Sequence, residues 1–380
     1  MDPNHIKYLK KLIGFKSVTP ESAGAAEYIA ELLEANGFHI EVKEFGDDYK
    51  VKNLYASYGH GSPNICFGGH VDVVPAGDSA LWATDPFVAT QKEDKIFGRG
   101  AVDMKGAIAC MLAAALEFIE NNKDFTGQIS FLLTSDEEGE AKFGTEAMLE
   151  YLQAKDVNID LMIIGEPSSQ NEVGDVIKIG RRGSINFTLD VFGVQGHAAY
   201  PNEADNPLDY MIKIMSELTC LKLDEGTRFF QSSKLVVTSV DTGNPVSNII
   251  PAKVSAKFNI RFNDLHTSES LSKLIKQKIE LYTHNYKLES KCSADAFIQE
   301  PTGLIADFAD VVKETAACET KFSTGGGTSD ARFAVKYCKV VELGLLAGLA
   351  HKIDEYTEIN DLQRLYNVYY NCLSKFFKTN

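Results

Sequence analysis

A short apolar run that ends in a histidine constrains the fold more than any other stretch of this chain. Ile65-Cys66-Phe67 is apolar throughout and is followed directly by Gly68-Gly69-His70-Val71-Asp72. A run that is apolar on both faces is typical of a central strand in a largely parallel sheet. His70 then lies at the carboxyl end of that strand, where open α/β sheets place their ligands and chemistry. The carboxylate of Asp72 is predicted to accept the second ring N–H of His70 and so to fix the ring orientation.

The alternation of strands and helices predicts two domains, one of them inserted into the other. Before residue 180, and again after 292, apolar runs alternate with helical segments such as the predicted helix 21–36, which indicates an α/β fold. Between these parts, residues 180–292 follow the order β-α-β-β-α-β, which is ferredoxin-like. We therefore predict a discontinuous catalytic domain, residues 1–179 and 293–380, with an inserted domain at 180–292.

Composition excludes several classes of function. The formal net charge is −15, which argues against binding of nucleic acid or an anionic membrane surface. The seven cysteines are scattered and odd in number, as expected for reduced cysteines of a cytoplasmic protein. Residues 1–15 lack the apolar core of a signal peptide, and no apolar run is long enough to span a bilayer.

Five residues from separate segments are candidate metal ligands. Histidine and carboxylate ligands suit Zn²⁺ or a similar divalent ion, and one carboxylate can bridge two ions. The candidates are His70, Asp103, Glu138, Glu166 and His351.

Each candidate also has an ordinary structural explanation. His70 fits the end of a strand, and Asp103 could cap the helix that follows it. Glu138 fits a solvated loop, Glu166 a turn before Pro167, and His351 the start of a helix. The metal hypothesis rests on the five together.

Adjacent glutamates in Ser135-Asp136-Glu137-Glu138-Gly139 suggest two different roles. Neighbouring side chains point in different directions, so one can hold a metal while the other faces the attacking water. A carboxylate in that place can take a proton from water and pass it to a leaving amine. We assign Glu138 to metal binding and Glu137 to general base and acid catalysis.

These motifs resemble those of the dinuclear zinc aminoacylase and carboxypeptidase family. The resemblance covers nearly the whole chain in order. It is carried by the His70, Glu137 and Glu166 segments and by the following: Gly98-Arg99-Gly100-Ala101-Val102-Asp103-Met104-Lys105-Gly106, Gly180-Arg181-Arg182-Gly183-Ser184, Gly196-His197-Ala198-Ala199-Tyr200-Pro201, Gly327-Thr328-Ser329-Asp330-Ala331-Arg332-Phe333 and His351-Lys352.

The resemblance implies how two divalent ions are held. One ion would bind His70 and Glu166, the other Glu138 and His351, with Asp103 between them. Both ions would be Zn²⁺, or one of them Co²⁺. The resemblance also implies a cis peptide after Asp103 and a homodimer formed through the inserted domain.

A second set of residues is implied to contact substrate. His197 would reach the active site of the partner subunit and donate to the oxyanion, although from the residues alone it fits a turn. The substrate carboxylates would be held by Arg181, Ser184, Tyr200, Asn248, Arg261, Gly327 and Thr328. Arginine suits this task because its planar guanidinium can donate two parallel hydrogen bonds to one carboxylate. Each arginine also fits a surface ion pair.

The resulting expectation is a metal-dependent amidohydrolase that acts on a small anionic N-acyl amino acid. Ala347 stands where relatives with such substrates often carry asparagine, so the acyl group and amino acid stay open. The alternatives are another N-acyl-amino-acid deacylase, a dipeptidase, or a metal-binding scaffold without catalysis.

Overall fold

The computed structural model of the chain describes residues 2–327 and 329–377. The chain divides into two compact units. Unit 1 comprises the described residues of Met1–Ile179, Gln299–Ser323 and Gly327–Asn380. Unit 2 comprises Gly180–Ile298 and Thr324–Gly326.

The strands are numbered in chain order. They are β1 (His39–Phe45), β2 (Val51–His60), β3 (Asn64–His70), β4 (Thr90–Lys92), β5 (Lys95–Phe97), β6 (Gly127–Thr134), β7 (Leu161–Ile164), β8 (Val176–Lys178), β9 (Gly180–Arg181), β10 (Gly183–Phe192), β11 (Gly196–His197), β12 (Lys234–Asp241), β13 (Ile249–Ile250), β14 (Lys253–Phe262), β15 (Tyr286–Ala294), β16 (Phe297–Ile298), β17 (Lys321–Ser323), β18 (Lys339–Glu342) and β19 (Tyr356–Glu358).

The helices are numbered in the same way. They are α1 (Asn4–Ile13), α2 (Ala25–Glu34), α3 (Lys105–Asn121), α4 (Thr145–Gln153), α5 (Pro207–Thr219), α6 (Ser268–Glu280), α7 (Leu304–Ala316), α8 (Ala331–Ala334) and α9 (Ile359–Phe376). Short 3₁₀ turns occur at Ser79–Leu81, Pro201–Glu203 and Ala347–Leu349.

Unit 1 is built on an eight-stranded mixed sheet in the order β1-β2-β6-β3-β7-β18-β8-β17. The central neighbours β6, β3, β7 and β18 run parallel, whereas β1 and β2 add an antiparallel edge. Almost every residue of β3 is buried because both faces of the strand are covered. Polar groups in such a sheet must therefore lie at the strand ends, which is where His70 lies.

The long helix α3 anchors unit 1. It packs against α1, α9 and β3, so it is buried on nearly all sides. Its sequence suits that place, since Ala107–Ala115 is apolar throughout. The amino end of α3 directly follows Asp103, which fixes that residue to a rigid element.

Unit 2 contains a four-stranded antiparallel sheet in the order β12-β14-β10-β15. Alternate residues of β10, Ile185, Phe187, Leu189 and Val191, are buried in one core. The helices α5 and α6 cover that face with residues at helical spacing, including Leu271, Ile275 and Ile279. With the chain order β10-α5-β12-β14-α6-β15, this is the ferredoxin-like arrangement that the sequence pattern predicted.

The structure differs from the predicted elements in three places. The helix predicted at 21–36 spans Ala25–Glu34, because Ala23 and Gly24 before it have left-handed φ angles of 48° and 92°. The boundary predicted at residue 292 falls inside β15, which pairs with β10 as far as Ala294. Strands of two or three residues, such as β4, were not predicted because so short a stretch has no periodicity to recognise.

The largely parallel sheet with a ferredoxin-like insertion is confirmed. No helix within residues 2–327 and 329–377 combines the length and the apolar character that crossing a membrane requires.

Candidate metal centre

The candidate ligands of unit 1 meet at one edge of its sheet. His70 ends β3, Glu138 follows β6, and Glu166 follows β7. These three strands are neighbours and run parallel, so their carboxyl ends lie together. Asp103 approaches from the loop before α3, and His351 from the turn after Ala347–Leu349.

Two groups of ligand atoms share one carboxylate. In the first group, His70 Nε2 lies 3.3 Å from Asp103 Oδ1 and 3.6 Å from Glu166 Oε1. In the second group, His351 Nε2 lies 3.2 Å from Asp103 Oδ2 and 2.9 Å from Glu138 Oε1. Asp103 thus gives one oxygen to each group, which is the arrangement that a bridging ligand requires.

The hydrogen bonding of the first group fits a cation. In the part of the chain that the structure describes, His70 Nε2, Asp103 Oδ1 and Glu166 Oε1 are buried without a hydrogen-bond partner of good geometry. Buried polar atoms are rarely left in this condition, because desolvation without compensation is costly. A divalent ion bound by all three atoms would compensate them.

The pKa values describe a site with excess negative charge. Asp103 and Glu138 raise the pKa of His351 to about 10. Burial disfavours the charged form of His70, but Asp103 and Asp72 outweigh it and raise its pKa well above the ordinary value. Burial opposes ionisation of Asp103 too, yet His351 and His70 hold its pKa low. Burial and the nearby carboxylates of Glu137 and Asp103 raise the pKa of Glu166. Each ligand group contains two carboxylates and one histidine, and such an excess of negative charge also attracts metal cations.

Asp72 supports the site differently from the prediction. His70 Nδ1 lies 2.9 Å from the main-chain oxygen of Asp72 and 3.6 Å from its carboxylate. The main-chain oxygen is therefore the closer acceptor for His70, since the chain turns directly after the strand. The carboxylate instead accepts the N–H groups of Glu138, at 3.1 Å, and of Glu137, at 3.4 Å. Asp72 thus ties the loop of both glutamates to the strand of His70.

Glu137 lies in the loop after β6, next to Glu138. Burial, and then the carboxylates of Asp330, Glu138 and Asp103, raise the pKa of Glu137 to about 8. Asp136 stabilises this loop by accepting the N–H of Lys142 at 3.1 Å. The loop thus presents two glutamates with different surroundings.

The backbone around Asp103 is closely packed. The Asp103–Met104 peptide is cis, as the resemblance implied. Met104 is the N-cap of α3 and its side chain makes no capping hydrogen bond, so Asp103 is not the N-cap residue considered from the sequence. A Cβ added to Gly69 would meet Met104 Cε at 2.2 Å, which explains why glycine precedes His70.

The predicted substrate residues of unit 2 form separate groups. Ser184 and Arg261 are directly paired on β10 and β14. Arg181 is buried and donates from Nη1 to the main-chain oxygen of Gly325 at 3.2 Å, so it is not a surface residue. Burial and the nearby Arg182 lower the pKa of Arg261.

The second group in unit 2 surrounds His197. The rings of His197 and Tyr200 are 5.6 Å apart, and the Ala198 N–H donates to the main-chain oxygen of Asn248 at 2.9 Å. His197 Nδ1 accepts the Ala199 N–H at 3.0 Å, so the neutral ring carries its proton on Nε2. His197 is exposed and can offer that N–H as a donor. Gly327 is exposed in unit 1, and Thr328 lies outside the described residues.

Several buried charged residues near the ligands were not predicted to take part. Arg99 and Glu355 form an ion pair of 2.8 Å with almost no exposure. Lys105 is fully buried, and burial lowers its pKa to about 7. Asp330 is buried, and burial raises its pKa to about 6. Arg99, Lys105 and Asp330 stand inside motifs that the sequence analysis had singled out, whereas nothing local marks Glu355.

Comparison with known proteins gives the class. Residues 66–375 match Peptidase family M20/M25/M40. A solved M20 family metallo-carboxypeptidase from Sulfolobus solfataricus, Sso-CP2, has a TM-score of 0.76 at 18% identity, with 99% of each chain covered. The chain belongs to Peptidase family M20/M25/M40. This is a family of metal-dependent hydrolases, and the ligand groups described above suit it.

Two relatives with higher sequence identity than Sso-CP2 share the name of a single enzyme. A succinyl-diaminopimelate desuccinylase of Rickettsia bellii (strain RML369-C) is 58% identical over 374 residues, which cover 97% of this chain and 96% of that protein. A protein of the same name from Rickettsia canadensis (strain McKiel) is 59% identical over 376 residues, which cover 97% and 98%.

Proposed function

We propose that the protein is a succinyl-diaminopimelate desuccinylase, which hydrolyses N-succinyl-L,L-2,6-diaminopimelate to succinate and L,L-diaminopimelate. The observation that carries the proposal is the pair of ligand groups sharing Asp103, in a chain about 58% identical to proteins of that name. The reaction belongs to the biosynthesis of diaminopimelate and lysine. We place the protein in the cytoplasm, where this small substrate and a reduced state of the cysteines are expected.

The metal centre would hold two divalent ions, Zn²⁺ in both positions or Co²⁺ in one. His70 and Glu166 would bind one ion, Glu138 and His351 the other, and Asp103 both. Bound there, the ions would polarise the amide carbonyl and make water more acidic. Imidazole and carboxylate ligands are the set that suits Zn²⁺.

Glu137 would move the proton. It would accept a proton from the attacking water and deliver it to the amine nitrogen as the amide bond breaks. The main-chain N–H groups of Glu137 and Glu138 donate to Asp72, which supports a position of the Glu137 carboxylate beside the ligands. Asp72 would position His70 through its main-chain oxygen and the glutamates through its carboxylate.

The substrate would be held by residues of unit 2 and of the glycine-rich segment. We assign its carboxylates to Arg181, Ser184, Tyr200, Asn248, Arg261, Gly327 and Thr328. His197 of one protomer would donate from Nε2 to the oxyanion in the active site of its partner. This assignment requires a homodimer formed through unit 2.

The test is hydrolysis of two amides side by side. Zinc-loaded protein is incubated with N-succinyl-L,L-diaminopimelate or with N-acetylornithine, and the released amine is quantified. A chelated sample is the control. Zinc-dependent cleavage of the succinyl compound supports the proposal, and cleavage of the acetyl compound alone contradicts it.

Another N-acyl-amino-acid deacylase is the second candidate, because of Ala347. This residue is exposed at the start of the Ala347–Leu349 turn, and its N–H donates to the main-chain oxygen of Ser169. Asparagine would fit there without displacing a buried group. If the succinyl compound is the substrate, Ala347→Asn should leave the preference for it unchanged or increase it. A preference that moves to the acetyl compound would favour the second candidate.

A further inference from the structure

The carboxylate of Glu355 is buried against the loop that carries Asp103. Its Oε1 accepts the N–H groups of Val102 at 2.8 Å and of Asp103 at 3.1 Å. Its Oε2 accepts the Gly100 N–H at 3.0 Å and Arg99 Nη1 at 2.8 Å. Four donors match the four acceptor sites of a carboxylate, so the group is fully used by one short segment of chain.

Further contacts join the same loop to the segment that follows His351. Arg99 Nη1 also donates to the main-chain oxygen of Lys352 at 3.1 Å, and the Gly98 N–H donates to that of Glu355 at 2.9 Å. Antiparallel pairing of the strands β5 and β19 adds further hydrogen bonds between these two parts of the chain. The loop before Asp103 and the segment after His351 are therefore one hydrogen-bonded structure.

The segment after His351 needs such support. His351 and Asp354 have φ angles of 63° and 54°, a left-handed conformation that costs free energy for residues other than glycine. The side chain of His351 is 51% exposed, whereas that of His70 is 1% exposed. Packing thus fixes His70, whereas His351 depends on how its own segment is anchored.

We infer that Glu355 is a positioning residue of the metal centre, holding the bridging carboxylate of Asp103 in register with His351. It belongs to neither ligand group in the described residues and acts through the main chain of both segments. The inference rests on the proposed metal centre and not on the identity of the substrate. It predicts unequal effects on the two ions, because Asp103 contributes to both groups but His351 only to the one it forms with Glu138.

The test is zinc affinity, measured in two binding steps by competition with a chromophoric chelator. Glu355→Gln keeps the size of the side chain, but its NH₂ group must face two N–H donors. Because His351 is 51% exposed, we assign the weaker zinc step to the group that it forms with Glu138. We expect that step to lose about 10- to 100-fold in affinity, as is usual when a supporting group outside the ligands is changed. The tighter step should lose less.

Asp224→Asn is the matched control. Asp224 is another carboxylate with little exposure, 5% for its side chain, and it has several donors: the N–H groups of Gly226 and Ser233, Asn263 Nδ2 and His266 Nε2. It lies in unit 2 and has no ligand contact in the described residues. This variant should lower the melting temperature while both zinc steps keep their wild-type affinity.

Arg99→Lys provides a second test of the inference if Glu355→Gln does not fold. Lysine keeps the charge opposite Glu355 but lacks the planar fork that holds Nη1 of Arg99 between Glu355 and the main-chain oxygen of Lys352, so a smaller loss in the same zinc step is expected. Wild-type affinity in both steps of either folded variant overturns the inference. Hydrolysis plays no part in this readout, so a failure of the proposed substrate is seen separately.

Discussion

The first ligand group of unit 1 and the Asp224 cluster of unit 2 both have little exposure to solvent, yet their hydrogen bonding is opposite. Both oxygens of Asp224 are paired with donors. In the first ligand group, Asp103 Oδ1 and Glu166 Oε1 have no partner of good geometry among the described residues. The pKa values of Asp224 and Glu166 follow this difference, since that of Asp224 is lowered and that of Glu166 is raised. The pKa of Asp103 is held low by His351 and His70 instead.

The difference teaches how to separate a structural carboxylate from a binding one. A carboxylate that stabilises a fold is surrounded by N–H donors that its own unit supplies. A carboxylate that binds a cation is surrounded by other hydrogen-bond acceptors, and the cation compensates the cost of its desolvation. Burial alone does not distinguish the two cases, whereas the identity of the neighbours does.

The largest expected effect is on turnover. Glu137→Gln removes proton transfer but leaves the ligands in place, so turnover should fall about 10²- to 10⁴-fold. Zinc affinity should change little, which titration of the metal-free variant would show. Glu140→Gln is the control, because Glu140 is an exposed acid in the same region. Near-normal turnover of Glu137→Gln would make the assignment of the general base wrong.

Metal removal should loosen the ligand-bearing segments of unit 1 and leave unit 2 unchanged. A ligand present at 100 times its dissociation constant stabilises the folded state by about 2.7 kcal/mol. Chelation should therefore increase hydrogen exchange at the amino end of α3 and in the Glu137 loop, where ligands are attached. The strands β10 and β14 of unit 2 should keep their protection. Equal loosening of both units would contradict the contrast between a metal-dependent centre and a self-sufficient cluster.

The smallest expected effect is on the free energy of unfolding, through the pH-dependent contribution of Asp224. Burial opposes its ionisation, but hydrogen bonds from Ser233, Gly226 and Asn263 lower its pKa below the ordinary value of 3.8. A lowered folded-state pKa contributes stability above the unfolded value, and this is lost as pH falls through the folded value.

The free energy of unfolding is measured by urea titration of wild type and Asp224→Asn. The variant should cost about 1–3 kcal/mol near pH 7, and less below about pH 4. Glu289→Gln is the control, since its ion pair with Lys287 is 62% exposed on both sides and should contribute little. A loss for Asp224→Asn that is independent of pH would contradict the role of its charge.

The sequence by itself determined the elements and the chemical type of the site. Apolar runs gave the strands, and their order gave the ferredoxin-like insertion, because both depend on local periodicity. The motifs also identified the five candidate ligands that the structure brings together. The ends of β6, β3 and β7 are each marked by a polar residue after an apolar run, which is a local signal.

Only the tertiary structure decided how these residues meet. That Asp103 offers a separate oxygen to each ligand group depends on the placement of five distant segments. That His70 lies closer to the main-chain oxygen of Asp72 than to its carboxylate depends on one turn after β3. The role of Glu355 was not predicted from the sequence because its partners are about 250 residues away along the chain. Contacts of that range leave no periodic trace, since they are made by loops whose paths are set by the sheet beneath them.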